Sequence, residues 1–109
     1  MKISQLLARQ EFKLLTKPAY DDREIRGCYT GDLLSWVMSR ANADDAWITV
    51  QTNVNVVAVA ALTDVACVIF PDGITAEASV TEKADEKGIV LLSAAPDAYR
   101  VAVTLSGML

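Results

Sequence analysis

The sequence predicts an α/β domain, a three-layer α/β/α arrangement with a mostly parallel sheet of about four or five strands. Two observations predict it: short apolar segments rich in β-branched residues alternate with segments of helical spacing, and turn residues stand where each strand gives way to the next helix. The segments that connect a strand to the next helix are too short to hold an additional antiparallel strand. We therefore expect right-handed crossovers between neighbouring parallel strands.

The first quarter of the chain predicts one short helix and two extended segments. Helical spacing appears near the start, in Ile3, Leu6 and Leu7. Glu11–Thr16 predicts a first strand, and Lys17–Asp22 breaks regular structure because its proline removes a backbone donor. Glu24–Cys28 predicts a short extended segment.

The next unit predicts a helix followed by a strand. Five apolar residues fall on one helical face: Leu33, Leu34, Val37, Met38 and Ala41. We expect Thr30 or Asp32 to cap this helix, since a side-chain oxygen at the N-cap accepts from a free backbone amide. Ala46–Val50 is β-branched and compact, which favours a strand.

The segment Val54–Leu62 admits two interpretations. Valine favours strands, which would make Trp47–Val59 a hairpin. However, Gln51-Thr52-Asn53 is not a preferred hairpin turn, and the alanines of the segment favour helix. We favour a buried helix capped by Thr52 or Asn53.

The remaining segments complete the alternation. Val65–Phe70 is almost continuously apolar, as expected for a central parallel strand covered on both faces. A turn at Pro71–Gly73 leads to an amphipathic helix that ends at Gly88, with Ala76, Val80 and Ala84 on its packed face. Ile89–Leu92 is the last strand. The final helix starts at about Asp97 with Pro96 in its opening turn, and its packed face holds Ala98, Val101, Ala102 and Leu105.

Composition limits the classes of function. The 109 residues fit one domain, residues 1–109, and they contain no histidine, the usual acid/base residue near neutral pH. The net charge is −4 with scattered Lys and Arg, so we expect no nucleic-acid partner. Cys28 and Cys67 lack metal-ligand spacing, and no nucleophile–base pair is identifiable, so we expect no metal, no cofactor and no catalysis.

The sequence also bears on location. No signal peptide is recognisable, and the apolar stretch Val54–Phe70 is shorter than a membrane helix and contains Asn55 and Asp64. We therefore expect a cytoplasmic protein without a membrane partner.

Polar residues gather where ligands bind in parallel sheets, beyond the carboxyl ends of the strands. The candidate ligand-binding residues there are Gly31, Asp32, Thr52, Asn53, Asn55, Asp72 and Ser93. Helix N-termini at this edge favour an anionic ligand such as a nucleotide. Each residue also has a purely structural explanation as a cap or turn of its own helix.

Four blocks of the sequence occur together in a characteristic order: Arg23–Ser35 with Val37-Met38, Ala46–Asn53, Val56–Ala60 and Ala84–Ser93. They resemble the DRTGG-domain family, in particular its small stand-alone members of anaerobes that are labelled serine-kinase-like. The resemblance runs from Arg23 to the C-terminus and implies the fold of the N-terminal domain of HPr kinase/phosphorylase. It implies a regulatory role rather than a kinase, because the phosphate-binding loop of that enzyme lies in its C-terminal domain and these residues contain no phosphate-binding fingerprint.

The sequence departs from the family at its naming motif. That motif falls at Gln51-Thr52-Asn53, where only the threonine matches, and Asn53 stands where close relatives often carry histidine. Cys28 likewise stands where they often have glycine. Any ligand role of that imidazole is therefore lost here.

Together these observations predict a non-catalytic regulatory or ligand-sensing module that forms a homodimer. A high apolar fraction of 52% in a small domain favours a C2 partner. The alternative is a protein-interaction accessory subunit without a small-molecule ligand. The resemblance implies a redox or hydrogenase-linked system for it, since stand-alone family members accompany iron-only hydrogenase genes.

Overall fold

A computed structural model describes residues 1–109 as five helices around one five-stranded sheet. The strands are β1 (Phe12–Leu14), β2 (Gly27–Thr30), β3 (Asp45–Ile48), β4 (Cys67–Phe70) and β5 (Leu91–Ala94). The helices are α1 (Ile3–Leu7), α2 (Leu34–Arg40), α3 (Val54–Thr63), α4 (Ala78–Lys87) and α5 (Ala98–Met108). None of these helices is long and apolar enough to cross a membrane.

The sheet order is β1-β5-β4-β3-β2, and β2 to β5 are parallel and adjacent in chain order. Only β1 is antiparallel, paired with β5. Residues of α2, α3 and α4 pack with one face of the sheet, whereas α1 and α5 pack with the other. The predicted three-layer α/β/α fold with a mostly parallel sheet is confirmed.

The core consists of two apolar layers that the alternation of the strands supplies. Trp47, Val68 and Leu91 point toward the α2–α4 face, and Cys67 and Ile69 point toward the α1–α5 face. All four residues of β3, β4 and β5 are buried. The prediction of a central strand covered on both faces is confirmed for β4.

Two cysteines lie in the same row of the sheet without being able to bond. Cys28 pairs in register with Ala46, and Ala46 pairs with Cys67. Two strand spacings separate the cysteines by roughly 10 Å, beyond the Cα separation of a disulfide. Both are free thiols, Cys28 exposed and Cys67 buried.

The first half of the chain departs most from prediction. The second strand is Gly27–Thr30 rather than Glu24–Cys28. Residues just before it pair instead with the N-terminus, where the Ile25 amide donates to the Met1 carbonyl at 2.6 Å and the Ile3 amide donates to the Arg23 carbonyl at 3.2 Å.

The predicted packed face of α2 is only partly correct. Val37 is fully buried, but Leu33 and Met38 are exposed. Since α2 lies over the edge strand β2, it has a packing neighbour on one side only, α3.

The helical interpretation of Val54–Leu62 is confirmed, since α3 spans Val54–Thr63, and the hairpin alternative is wrong. Asn53 is the N-cap, and Asp64 ends the helix in a left-handed conformation at φ 59°. Gly88 ends α4 at φ 70°, as predicted. Asp97 caps α5 by accepting from the Arg100 amide, so Pro96 precedes the cap instead of occupying the opening turn.

Candidate functional site

The predicted site residues lie at or just beyond the carboxyl ends of β2 to β5, with Ser93 inside β5 and Asn55 in the first turn of α3. The structure divides them among several places. Thr30 or Asp32 was predicted as the cap of α2, and both alternatives are wrong because Leu33 is the N-cap and no side chain caps the helix. The Asp32 Oδ1 atom instead accepts from the Thr49 hydroxyl and the Val50 amide, both at 2.9 Å. Asp32 therefore ties the loop after β2 to the loop after β3.

Gly31 has a structural reason for being glycine. Its carbonyl accepts from the Trp47 indole Nε1 at 2.9 Å, and its amide donates to the Ile48 carbonyl at 3.1 Å. A Cβ atom at this position would lie 2.9 Å from the Tyr29 ring. Gly31 thus lets the chain pass closely over the ring and hold the buried tryptophan.

Asp72 and Ser93 flank the point where the chain changes faces of the sheet. The connection after β4 leads to α4 on one face, and the connection after β5 leads to α5 on the other. Ligands of parallel α/β folds often bind in such a crevice. Here hydrogen bonds close it: Asp72 N to Pro96 O at 2.9 Å, Gly73 N to Ala94 O at 2.7 Å, and Ser93 Oγ to Ile74 O at 2.6 Å.

The turn that seals this crevice has a defined conformation. Asp72 and Gly73 adopt φ 59° and φ 67°, and the Ile74 amide donates to the Pro71 carbonyl at 3.1 Å. Positive φ at both central residues is typical of a type I′ turn. The Ser93 hydroxyl already donates its hydrogen bond to the Ile74 carbonyl. Only a small recess of about 170 Å³ remains beside it, toward β1.

Thr52 and Asn53 lie together in an open recess between the N-termini of α3 and α4. We call it the N-terminal groove; its volume is about 340 Å³, and it is lined by Thr52, Asn53, Val54, Glu77, Ser79 and Val80. The Asn53 Oδ1 atom accepts from the Asn55 amide at 2.9 Å, and Asn53 Nδ2 donates to Gln51 Oε1 at 3.3 Å. Asn53 is therefore held by its role as a cap.

The N-terminal groove is rich in free donors. The amides of Val54, Ala78 and Ser79 make no hydrogen bond within the protein, nor do the hydroxyls of Thr52 and Ser79. Free amides and aligned peptide dipoles make two adjacent helix N-termini positive. The carboxylate of Glu77, at the N-cap of α4, opposes this field.

Asn55 points into a second recess on the outer side of α3 and α4. We call it the lysine groove; its volume is about 370 Å³, and besides Asn55 it is lined by Val54, Val57, Ala58, Ala61, Lys83 and Lys87. Val54 lies in both grooves. Of the seven predicted residues, the structure thus brings only Thr52 and Asn53 into one open recess.

Sequence reasoning missed Glu77, Ser79 and the two lysines. The rule that identified Thr52 and Asn53, polar residues where a strand leads into a helix, applies equally to Glu77 and Ser79. Glu77 lies outside the packed face that the sequence predicts for this helix, so it was not considered there. The lysines carry no local signal, since their role depends on which helix packs beside α4.

The two cysteine thiols both have raised pKa values, which disfavours their reactive thiolate forms. Burial raises the pKa of Cys67 to about 12, so this thiol is protonated at neutral pH. Desolvation also raises the pKa of Cys28. The N-terminal groove, in contrast, presents free amides and hydroxyls, which are hydrogen-bond donors of the kind that anion sites use.

Comparison with known proteins identifies the fold. No protein-family model and no curated protein matches the sequence. A crystal structure of the CBS and DRTGG domains of the regulatory region of Clostridium perfringens pyrophosphatase, complexed with the activator diadenosine tetraphosphate, matches with a TM-score of 0.70 at 13% identity. The alignment covers 94% of this chain. The chain has a DRTGG-like fold.

The likeness is one of architecture. At 13% identity it concerns the path of the backbone, and this chain spans only 44% of the matched chain. The DRTGG-like fold agrees with the family that the sequence blocks resemble, and the alignment covers almost the whole chain.

Proposed function

We propose that this chain is a non-catalytic regulatory module that senses a small anionic ligand of the nucleotide class in the N-terminal groove. The observation that carries the proposal is the pairing of two helix N-termini with free amides and two free hydroxyls around one recess. Such an array suits phosphoryl oxygens, which need several donors at once. The structural neighbour is a regulatory region complexed with a dinucleotide activator, which supports the ligand class.

The charge of Glu77 gives the proposal a specific test. If the ligand is an anion, removal of the carboxylate in Glu77→Gln is expected to tighten binding, because a like charge beside the phosphates is lost. Thr52→Val and Ser79→Ala each remove one donor, and each is expected to weaken binding by about three- to tenfold. Ser106→Ala, an exposed serine on the opposite face of the sheet, is the matched control.

The measurement is thermal unfolding with adenosine, ADP, ATP, diadenosine tetraphosphate and inorganic phosphate, followed by calorimetric titration. Saturation to about a hundred times Kd should add about 2.7 kcal/mol to the free energy of unfolding. No stabilisation by any of these probes would refute the nucleotide assignment. Stronger binding of adenosine than of ADP, or weaker binding in Glu77→Gln, would refute an anion site.

Exposed apolar side chains on α2 favour a second function, protein interaction, and we propose a second copy of this chain as the partner. Leu33, Trp36 and Met38 are each more than half exposed, and β2 beneath them is an open sheet edge. Light scattering should give a molar mass of twice 11.8 kDa for the wild type. The variant Trp36→Ser should give a lower mass, because the substitution removes an apolar contact of the dimer. A mass of one chain would refute the homodimer.

A further inference from the structure

The outer face of α3 is apolar where a helix covering a sheet ordinarily presents polar side chains. Only Asn55 and Thr63 are polar in this helix. Its exposed apolar residues follow the spacing i, i+4, i+7, i+8 and are Val54, Ala58, Ala61 and Leu62. Leu62 is 73% exposed. This stripe has the spacing by which one helix packs against another.

The apolar stripe of α3 forms one wall of the lysine groove. Ala58 and Ala61 are small, so about 370 Å³ stays open between α3 and the side chains of α4. Small residues at a crossing point let the backbone of a second helix approach closely. The groove is therefore able to accept apolar side chains from a second helix that lies along α3.

Charge decides the chemistry of the occupant. Lys83 and Lys87 are four residues apart on α4, so both ammonium groups lie along one side of the groove. Lys83 has only a distant partner, Glu86 at 3.9 Å, and Lys87 has no carboxylate within salt-bridge distance. In a chain of net charge −4, this apolar groove with a basic margin is complementary to apolar side chains flanked by carboxylates.

We propose that the lysine groove docks an acidic amphipathic helix of a partner protein. The helix lies along α3 with its apolar face on Val54, Ala58 and Ala61, and its Glu or Asp side chains face Lys83 and Lys87. This surface is separate from the exposed apolar residues of α2, and the proposal does not depend on nucleotide binding in the N-terminal groove.

The test uses two designed peptides of about 18 residues, long enough to be helical alone. Both carry the same leucine stripe, flanked by glutamates in one peptide and by lysines in the other. Fluorescence anisotropy with the full chain gives the two affinities, and amide chemical shifts locate the contact. We expect the glutamate peptide to bind at least about tenfold tighter, with shifts at Ala58 and Ala61.

Charge reversal is the decisive control. Lys83→Glu with Lys87→Glu should invert the preference between the peptides, whereas Lys13→Glu, on β1 at the far edge of the sheet, should leave it unchanged. Ala58→Glu, at an exposed position, should abolish binding without unfolding the chain. An unchanged preference in the double variant, no binding by either peptide, or a self-association that Ala58→Glu removes would each overturn the proposal.

Discussion

Thr49→Val should loosen the loop that carries Thr52 and Asn53. Thr49 follows β3 and is 2% exposed. Its hydroxyl donates to Asp32 Oδ1 at 2.9 Å and accepts from the Gln51 amide at 3.2 Å. Valine keeps the shape of the side chain but removes both hydrogen bonds.

The expected cost follows from those two bonds. An intramolecular hydrogen bond contributes about 0.5–1.5 kcal/mol to the free energy of unfolding. Valine loses two such bonds but buries a second methyl group, which offsets part of the loss. The net destabilisation is therefore about 1–2 kcal/mol. For a domain of about 100 residues this lowers Tm by about 4–8 °C. Since Asp32 loses its buried partner, the loop after β2 should loosen too.

The assay is urea unfolding together with native-state amide exchange, with Thr49→Ser as the matched variant. Serine keeps the hydroxyl and loses a methyl, so it is also destabilised, but exchange at the Gln51 amide should stay slow. In Thr49→Val that amide should exchange much faster. Stability within about 0.5 kcal/mol of wild type with unchanged Gln51 exchange would show that the hydroxyl does not hold this loop.

Three further predictions concern single groups. Asn53→Ala should lower the free energy of unfolding by about 1 kcal/mol in urea titrations, whereas Asn53→Asp, which keeps the cap acceptor, should nearly retain it. Hydrogen bonds from the Ser4 hydroxyl and amide lower the pKa of Asp22. The folded state therefore favours the Asp22 carboxylate, and the stability that this carboxylate adds is present above about pH 4 and lost as pH falls through the lowered pKa. Asp22→Asn should make the free energy of unfolding less dependent on pH in this acidic range, as urea titrations at several pH values would show. Iodoacetamide should label Cys28 alone in the native protein and both cysteines in denaturant, as intact mass would record; rapid native labelling of Cys67 would contradict its burial.

Elements with strong local signals could be predicted from the sequence. The helix at Val54–Thr63 follows from its alanines and its Asn53 cap, and β4 follows from its unbroken apolar run. The position of β2 could not be predicted, because the residues before it pair with Met1 and Ile3 from 20 or more positions away in the chain. Long-range pairing of this kind leaves no periodic pattern in either segment.

The candidate site was predictable only in part, for a topological reason. Parallel strands place every following loop at one edge, which correctly located Thr52 and Asn53 there. Which of those loops leave an opening depends on hydrogen bonds between loops far apart in sequence. The bonds of Asp72, Gly73 and Ser93 close one crevice, and the packing of α3 beside α4 opens two others.

Because the two grooves share Val54 and both lie between α3 and α4, occupancy of one should change the affinity of the other. A peptide on α3 restrains its first turn, whose amide at Val54 faces the proposed phosphate position. Linkage requires the effect to be reciprocal, so the factor by which peptide changes ADP affinity must equal the factor by which ADP changes peptide affinity. Titrating each probe with and without the other measures both factors. If both ligands bind and each factor is one, the chain holds two independent sites and does not relay ligand binding to a partner.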